Sequence, residues 1–194
     1  MPEYKITEDD CAVYIPSGST ARFTPIHTCI GAVIAPENAN GDGAYGGHFM
    51  YSKTKRSLVF LDRALNRLGN PENLILYAPI GGIITPEFYF NFVEGLSLGE
   101  REIAPDYLTM AKTHFKSIQR FMNIVRNSGI PEENMHIRWS PPGSLTNFSF
   151  NAGTNENEMS VSLSGENLYK GRIEDAPDLF IPEMEPLIET LKRV

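Results

Sequence analysis

The chain has 194 residues, of which 41% are hydrophobic and 21% charged, values typical of one globular domain with a sizeable core. Its formal net charge is −7, from 24 acidic against 17 basic residues, which disfavours a nucleic-acid or anionic-membrane surface. No apolar run approaches the roughly 20 residues that a membrane-spanning helix needs. The first residues also lack the basic and apolar regions of a cleavable secretion signal. We therefore expect neither nucleic acid nor membrane among its partners.

The first half of the chain combines short strands with one helix. Apolar runs predict strands at residues 11–15, 27–34, 44–50 and 73–80. Between the last two, residues 55–68 carry leucines at steps of three and four, followed by Gly69, which predicts an amphipathic helix. This order of elements predicts a layered domain with helices packed on a sheet.

The second half begins with a long helix. Apolar spacing predicts it over residues 106–128, with Asp106 as the N-cap and Gly129 closing the end. A strand at 135–139 follows, then an alternating hairpin at 147–153 and 158–163, and a helix at 182–193. We predict a single α/β (α+β layered) domain over residues 1–194, with mixed, mostly antiparallel sheets packed with two long amphipathic helices and the C-terminal helix.

Two cysteines, Cys11 and Cys29, are too few for a disulfide scaffold, although one bridge between them is possible. The cysteines and the four histidines show no paired metal-ligand spacing. The glycine-rich "GDGAYGG" lacks the Lys-Ser/Thr pair of a phosphate-binding loop. We expect no metal and no cofactor.

The hairpin predicted between residues 27 and 50 brings Cys29 towards His48. Turn-forming Asn-Gly and Asp-Gly pairs occupy the loop at 35–42. A register that pairs Ile34 with Gly43 sets Cys29 directly opposite His48, with Cβ atoms roughly 4.5–5.5 Å apart. A slip of one residue would place the two side chains on opposite faces. The alternative interpretation is that Cys29 is a small hydrophobic residue of the core.

A thiol beside an imidazole is a candidate catalytic pair. The imidazole accepts the thiol proton, which produces the nucleophilic thiolate, and later returns that proton to a leaving group. His27 lies two residues before Cys29, too far for direct proton transfer along a strand, but able to line the site. The Gly81-Gly82 pair after the strand at 73–80 indicates a tight turn or, alternatively, a close approach of backbone to a ligand.

Several segments together resemble one known family. They are "TPIHTCIGAV", "GGHFMYS", "LILYAPIGGI", the long helix closing at "NSGI", and the paired strands "TNFSFNAGTNENEMSVSL". The motifs and their succession resemble the chemoreceptor glutamine deamidases (CheD) and their toxin relatives, the cytotoxic necrotizing factor catalytic domain and Burkholderia lethal factor. The resemblance covers residues 24–165 and leaves 1–23 and 166–194 as extensions.

The resemblance implies a CheD-like fold and cofactor-free hydrolysis of a protein glutamine side chain to glutamate and ammonia. It makes Cys29 the nucleophile, His48 the acid–base and Thr24 the group that orients the imidazole. At the substrate and oxyanion it places a second set of residues: Thr28, His27 and Gly47. The partner is then a protein that carries the target glutamine. The location is the bacterial cytoplasm, or a host cytosol reached through signal-less secretion as a toxin or effector.

This chain departs from the family pattern in two places. His27 and Thr28 replace the family's Gly-Ser before the cysteine. Thr24 lies five positions before Cys29 instead of six, an offset that faces away in a regular strand unless Pro25 breaks the regularity. Two other functions stay open: a non-catalytic binding or adaptor module on the same scaffold, and another thiol amidohydrolase such as an asparagine amidase.

Overall fold

A computed structural model describes residues 2–38, 43–50 and 55–177 of the chain. The strands in chain order are β1 (Glu3–Ile6), β2 (Val13–Ile15), β3 (Thr20–Phe23), β4 (Ile30–Pro36), β5 (Ala44–Phe49), β6 (Leu74–Ile80), β7 (Met135–Trp139), β8 (Leu145–Asn151), β9 (Asn157–Leu163) and β10 (Glu166–Gly171). The helices are α1 (Lys55–Leu68), α2 (Pro86–Glu94), α3 (Leu98–Ile103) and α4 (Tyr107–Arg126).

The strands form two five-stranded sheets. The first sheet has the order β1-β3-β8-β9-β10 and the second β2-β5-β4-β6-β7. One strand pair in each sheet is parallel, β1 with β3 and β6 with β7, and the other pairs are antiparallel. One apolar core lies between the sheets, and a second lies between the second sheet and helices α1 and α4. The predicted class of mixed, mostly antiparallel sheets layered with helices is thus confirmed.

The two long helices form close to their predicted bounds, but the predicted leucine stripe of α1 is not its fully buried face, since Leu58 is 52% exposed. α1 has the predicted bounds and buries Phe60 and Ala64. α4 begins after Asp106, whose carboxylate accepts a hydrogen bond from the Thr109 backbone N–H at 3.0 Å. Its apolar stripe packs on the second sheet, with Phe115, Ile118 and Phe121 in the core. The predicted helix at 182–193 lies outside the described residues.

The predicted hairpin near the C-terminus is present as β8 and β9, with alternating buried and more exposed residues. β7 has its predicted bounds. The first sheet also contains three strands that the sequence did not reveal: β1, β3 and β10.

The predicted register between β4 and β5 is wrong by two residues. The structure pairs Ile34 with Tyr45, and His48 with Gly31. The hairpin alone cannot set this register, because β5 also pairs with β2 and β4 with β6. A shift of two keeps the side chains on their faces. Cys29 and His48 therefore stay on one face, as diagonal neighbours instead of opposite ones.

The two sheets are joined along both long sides. Residues 7–12 pass from β1 at the edge of the first sheet to β2 at the edge of the second. On the other side, the chain after β10 runs beside edge strand β7. There Arg138 donates to the backbone carbonyls of Ala176 at 2.7 Å and Glu174 at 3.0 Å.

Candidate active site

The candidate site lies at the end of the sandwich where β4 begins and β5 and β6 finish. Cys29 immediately precedes β4 and is 7% exposed, within the core between the sheets. Its carbonyl accepts a hydrogen bond from the Gly81 N–H at 2.8 Å, in the loop that leaves β6. The backbone of Cys29 is thus held between the start of β4 and the end of β6.

The Cys29 thiol is protonated at neutral pH. Burial, together with the negative charge of Glu8, raises its pKa to about 12, while hydrogen bonds from the backbone and side chain of Thr28 act in the opposite direction. Both cysteines are free thiols, so the bridge considered from the sequence does not form. Cys11 instead donates to the Arg56 carbonyl at 3.1 Å.

His48 is held in one orientation by the first sheet. Its Nδ1 lies 3.0 Å from the Thr24 hydroxyl, which is also 3.3 Å from the Ile6 carbonyl. Since a hydroxyl has a single proton, donation to Ile6 leaves Thr24 as the acceptor of an Nδ1–H proton. This tautomer leaves the lone pair on Nε2. The ring also packs against Phe23 at 6.3 Å between centroids.

Thr24 reaches the imidazole because the strand ends before it. β3 stops at Phe23, and Ile26 then forms an isolated bridge with Thr146. Thr24 is therefore outside the regular alternation that would have turned its hydroxyl away, as Pro25 suggested. Its N–H also donates to the Ile6 carbonyl at 2.8 Å, which fixes the backbone at this point.

Neutral imidazole faces the same inter-sheet space as the thiol. Burial lowers the pKa of His48 to about 4, although the hydrogen bond with the Ile6 backbone and the charge of Asp10 act in the opposite direction. His48 is 1% exposed, and its Nε2 makes no hydrogen bond within the described part of the chain. No hydrogen bond therefore joins Nε2 to the Cys29 sulfur. Diagonal partners on one sheet face lie roughly 7–8 Å apart.

The other predicted site residues differ in burial and in the groups that they contact. Thr28 is half-buried and hydrogen-bonds the Cys29 sulfur, whereas His27 is exposed. Gly47 is buried in β5, and a Cβ there would lie 2.7 Å from the Cys11 carbonyl and 2.5 Å from the Phe49 ring. A side chain at residue 47 would therefore point to the sheet face opposite to that of His48. A role for Gly47 at the substrate stays a prediction.

At Gly81 and Gly82 the loop after β6 passes close to other backbone segments of the protein. A Cβ on Gly81 would lie 2.3 Å from the His27 carbonyl, and one on Gly82 would lie 2.3 Å from the Pro141 carbonyl. Two residues further on, the Ile84 N–H donates to Nδ1 of the buried His114 at 3.3 Å. Helix α4 thereby fixes the loop that fixes Cys29.

The contribution of the N-terminal segment to the candidate site was not predicted from the sequence. The Asp10 carbonyl accepts the His48 N–H at 2.9 Å, and the Ile6 carbonyl holds Thr24. The one local signal is the spacing of Thr7 and Asp10, whose side chains close a turn. This segment lies in the part of the chain that the family resemblance leaves out.

Within residues 2–38, 43–50 and 55–177, no group of three or more His, Cys, Asp or Glu side chains is arranged to hold a metal ion. The described helices include none with the length and apolar character needed to cross a bilayer. The side chains of Cys29, His48, Thr24 and Thr28 supply a thiol, a neutral imidazole and two hydroxyl groups at this end of the sandwich.

No protein-family model matches the chain, and no curated protein matches it. One solved structure that aligns with it is the hypothetical protein YfiH of Bacillus licheniformis, with 11% identity over 65% of this chain and a TM-score of 0.38. The alignment covers 49% of that protein, so this chain spans about half of its length. At this level the likeness supports no argument about activity, and it adds nothing to the resemblance to CheD.

Proposed function

We propose that this protein is a cysteine-dependent amide hydrolase that converts a protein glutamine to glutamate. The observation that supports it best is the His48 imidazole, buried, fixed through Nδ1 by Thr24, and with Nε2 unbonded within the described chain. A free thiol lies diagonally across the same sheet face. A thiol, a base and a group that orients the base are the parts of nucleophilic amide hydrolysis.

The reaction follows from these groups. His48 Nε2 accepts the Cys29 proton as the sulfur attacks the carboxamide carbon, which forms a tetrahedral intermediate. The C–N bond then breaks, the imidazolium returns its proton to the nitrogen, and ammonia leaves a thioester. Water, deprotonated by Nε2, cleaves the thioester to a carboxylate and regenerates the thiol. The proposed donors to the oxyanion are the Cys29 backbone N–H and, as a helper, Thr28, which hydrogen-bonds the thiol.

The thiol and imidazole have to approach each other for this chemistry. In the structure both are neutral and not hydrogen-bonded to each other. Catalytic hydrogen bonds commonly shorten only in the complex with substrate.

The experiment is a comparison of glutamine-to-glutamate conversion in a cell lysate treated with the wild-type protein, Cys29→Ser or Cys11→Ser. Mass spectrometry of the digested lysate locates the converted side chains, and asparagine conversion is scored in the same data. We expect Cys29→Ser to lower conversion by about 10³-fold or more, and Cys11→Ser to retain it. Equal conversion by Cys29→Ser and the wild type would refute the proposal.

A non-catalytic binding module is the second candidate, and the burial of the thiol favours it. A cysteine that is 7% exposed, with its thiol pKa raised to about 12, is typical of a structural residue. This function predicts slow alkylation of Cys29 at neutral pH and no conversion of either amide side chain. Conversion that depends on Cys29 would exclude it.

A further inference from the structure

An acidic turn, defined as residues 7–10, crosses between the two sheets at the candidate site. The Asp10 carboxylate closes it by accepting from the Thr7 N–H at 2.6 Å and the Thr7 hydroxyl at 2.9 Å. Arg56 donates to the Asp9 carbonyl at 3.0 Å and pairs with the Asp9 carboxylate at 3.6 Å. The turn is therefore fixed to α1 and to itself.

Both ends of the acidic turn contact the residues that orient the imidazole. Ile6, just before it, accepts from Thr24, and Asp10 at its end accepts from the His48 backbone N–H at 2.9 Å. Glu8 lies between these two contacts and is exposed. Asp9 pairs with Arg56 and Asp10 with Thr7, whereas Glu8 makes no ion pair with the residues that the structure describes, so its carboxylate can act on an incoming molecule.

The negative charge of Glu8 acts on the Cys29 thiol. It is one of the causes that raise the pKa of Cys29, second to burial. The same field acts on any charged group that approaches the thiol, favouring cations and opposing anions. The Nε2 of His48, which has no hydrogen-bond partner among the described residues, marks where such a molecule would have to arrive.

We propose that Glu8 is a specificity-determining residue that selects target glutamines flanked by lysine or arginine. The inference rests on the proposed hydrolase function and adds the substrate class. A carboxylate at the site attracts a cationic segment of the substrate protein. After hydrolysis the new glutamate is negatively charged, so Glu8 repels the product that it helped to bind as a neutral amide.

The test uses two thiol reagents of similar size: the cationic trimethylammonium-ethyl and the anionic sulfonato-ethyl methanethiosulfonate. Both attack the same thiolate, so the ratio of their rates at Cys29 cancels the thiolate fraction and reports the local potential. Peptide mapping separates Cys29 from Cys11. We expect Glu8→Gln to lower the cation-to-anion ratio at Cys29 by about 3–10-fold at low salt, and less at high salt.

Glu37→Gln is the matched control, because Glu37 is exposed just beyond the opposite end of β4. It should leave the ratio unchanged. A ratio that does not respond to Glu8→Gln, or a Cys29 that neither reagent modifies, would overturn the inference.

A second measurement separates this inference from the proposed function. Deamidation of a Lys-Gln-Lys peptide should exceed that of a Glu-Gln-Glu peptide in the wild type, and the preference should shrink in Glu8→Gln. Deamidation of both peptides at equal rates would refute selection by Glu8 and leave the hydrolase standing. A reagent ratio that depends on Glu8, without deamidation of any peptide, would support the acidic field and count against the hydrolase.

Discussion

In the proposed reaction Thr24 is a positioning residue, because its hydroxyl contacts His48 and acts only through that ring. Its hydroxyl fixes the Nδ1 side of the ring at 3.0 Å and thereby determines which nitrogen carries the lone pair. A third group that orients the base is a recurrent part of nucleophilic sites. Loss of this hydrogen bond frees the ring to take the other tautomer.

We expect Thr24→Val, which keeps the shape and removes the hydroxyl, to lower kcat/KM roughly 10–100-fold, a part of the 10²–10⁴ that acid–base catalysis provides. The measurement is the deamidation rate on the best lysate target, together with the pH profile of Cys29 alkylation. Thr24→Ser keeps the hydroxyl and should restore the rate. Equal rates for Val and Ser at this position would show that the hydroxyl is not used.

At the residue scale the sequence predicted that Cys29 and His48 lie on one sheet face, but not their offset. The shared face depends on the chosen register differing from the true one by an even number of residues, and the structure shows a difference of two. Their diagonal offset does not follow, because the register depends on β2 and β6 as well as on the hairpin. The contact from Ile6 was not predictable either, since it requires the pairing of β1 with β3, which 13 residues (7–19) separate along the chain.

At the scale of elements, the loop after β6 links helix α4 to the thiol. Its Gly81 N–H donates to the Cys29 carbonyl, and its Ile84 N–H donates to His114. A side chain at Gly81 meets backbone atoms of residues 27 and 28, which cannot rotate away as a flexible side chain would. The loop and the start of β4 would have to separate.

We therefore expect Gly81→Ala to lower the free energy of unfolding by about 1–3 kcal/mol and to change the alkylation rate of Cys29. Chemical denaturation measures the first and peptide mapping the second. Gly99→Ala is the control, because a Cβ on Gly99 in α3 meets no atom within 4 Å. It should leave stability unchanged or slightly higher, and a loss as large as that of Gly81→Ala would contradict the contact argument.

Helices with a clear apolar stripe were predicted from sequence, and shorter ones were not. α1 and α4 carry leucine or aromatic spacing together with a capping residue or a terminal glycine. α2 reads as "PEFYFNFVE", in which aromatic residues alternate as they would in a strand. Pro86 at its first position and the Tyr89 N–H bonded to the Thr85 carbonyl at 2.9 Å start a helix instead.

At the scale of the whole molecule, two imidazoles are buried in different cores. Burial lowers the pKa of both His48 and His114 from 6.5 to about 4. Between about pH 6.5 and 4 the unfolded chain therefore binds protons that the folded protein does not. Stability consequently falls as the pH is lowered through this window, by about 1.4 kcal/mol per pH unit for each fully shifted histidine.

Denaturant unfolding at pH 7, 5.5 and 4.5 measures this slope. His114→Gln, which removes a titrating group and keeps a hydrogen-bond acceptor for Ile84, should give a shallower slope than the wild type. A His114→Gln slope equal to that of the wild type would contradict the assignment.

The class of the fold was predictable because the apolar residues of an alternating strand or an amphipathic helix show which face of the element is buried. The division of the strands into two sheets was not predictable, because it depends on short strands such as β1 and β3 that bury few residues each. Their pairing is set by the core between the sheets, where Ile6, Ala21 and Phe23 meet residues of β8 and β9.

The two chain crossings that join the sheets also restrict the route into the molecule. One crossing closes the side at β1 and β2, and Arg138 with the segment beside β7 closes the other. Under the proposed function, a target peptide therefore reaches Cys29 from the end of the sandwich and not as an added strand between the layers. Its glutamine projects from a bend or a loose terminus, so a residue of a rigid helix or sheet would be a poor target.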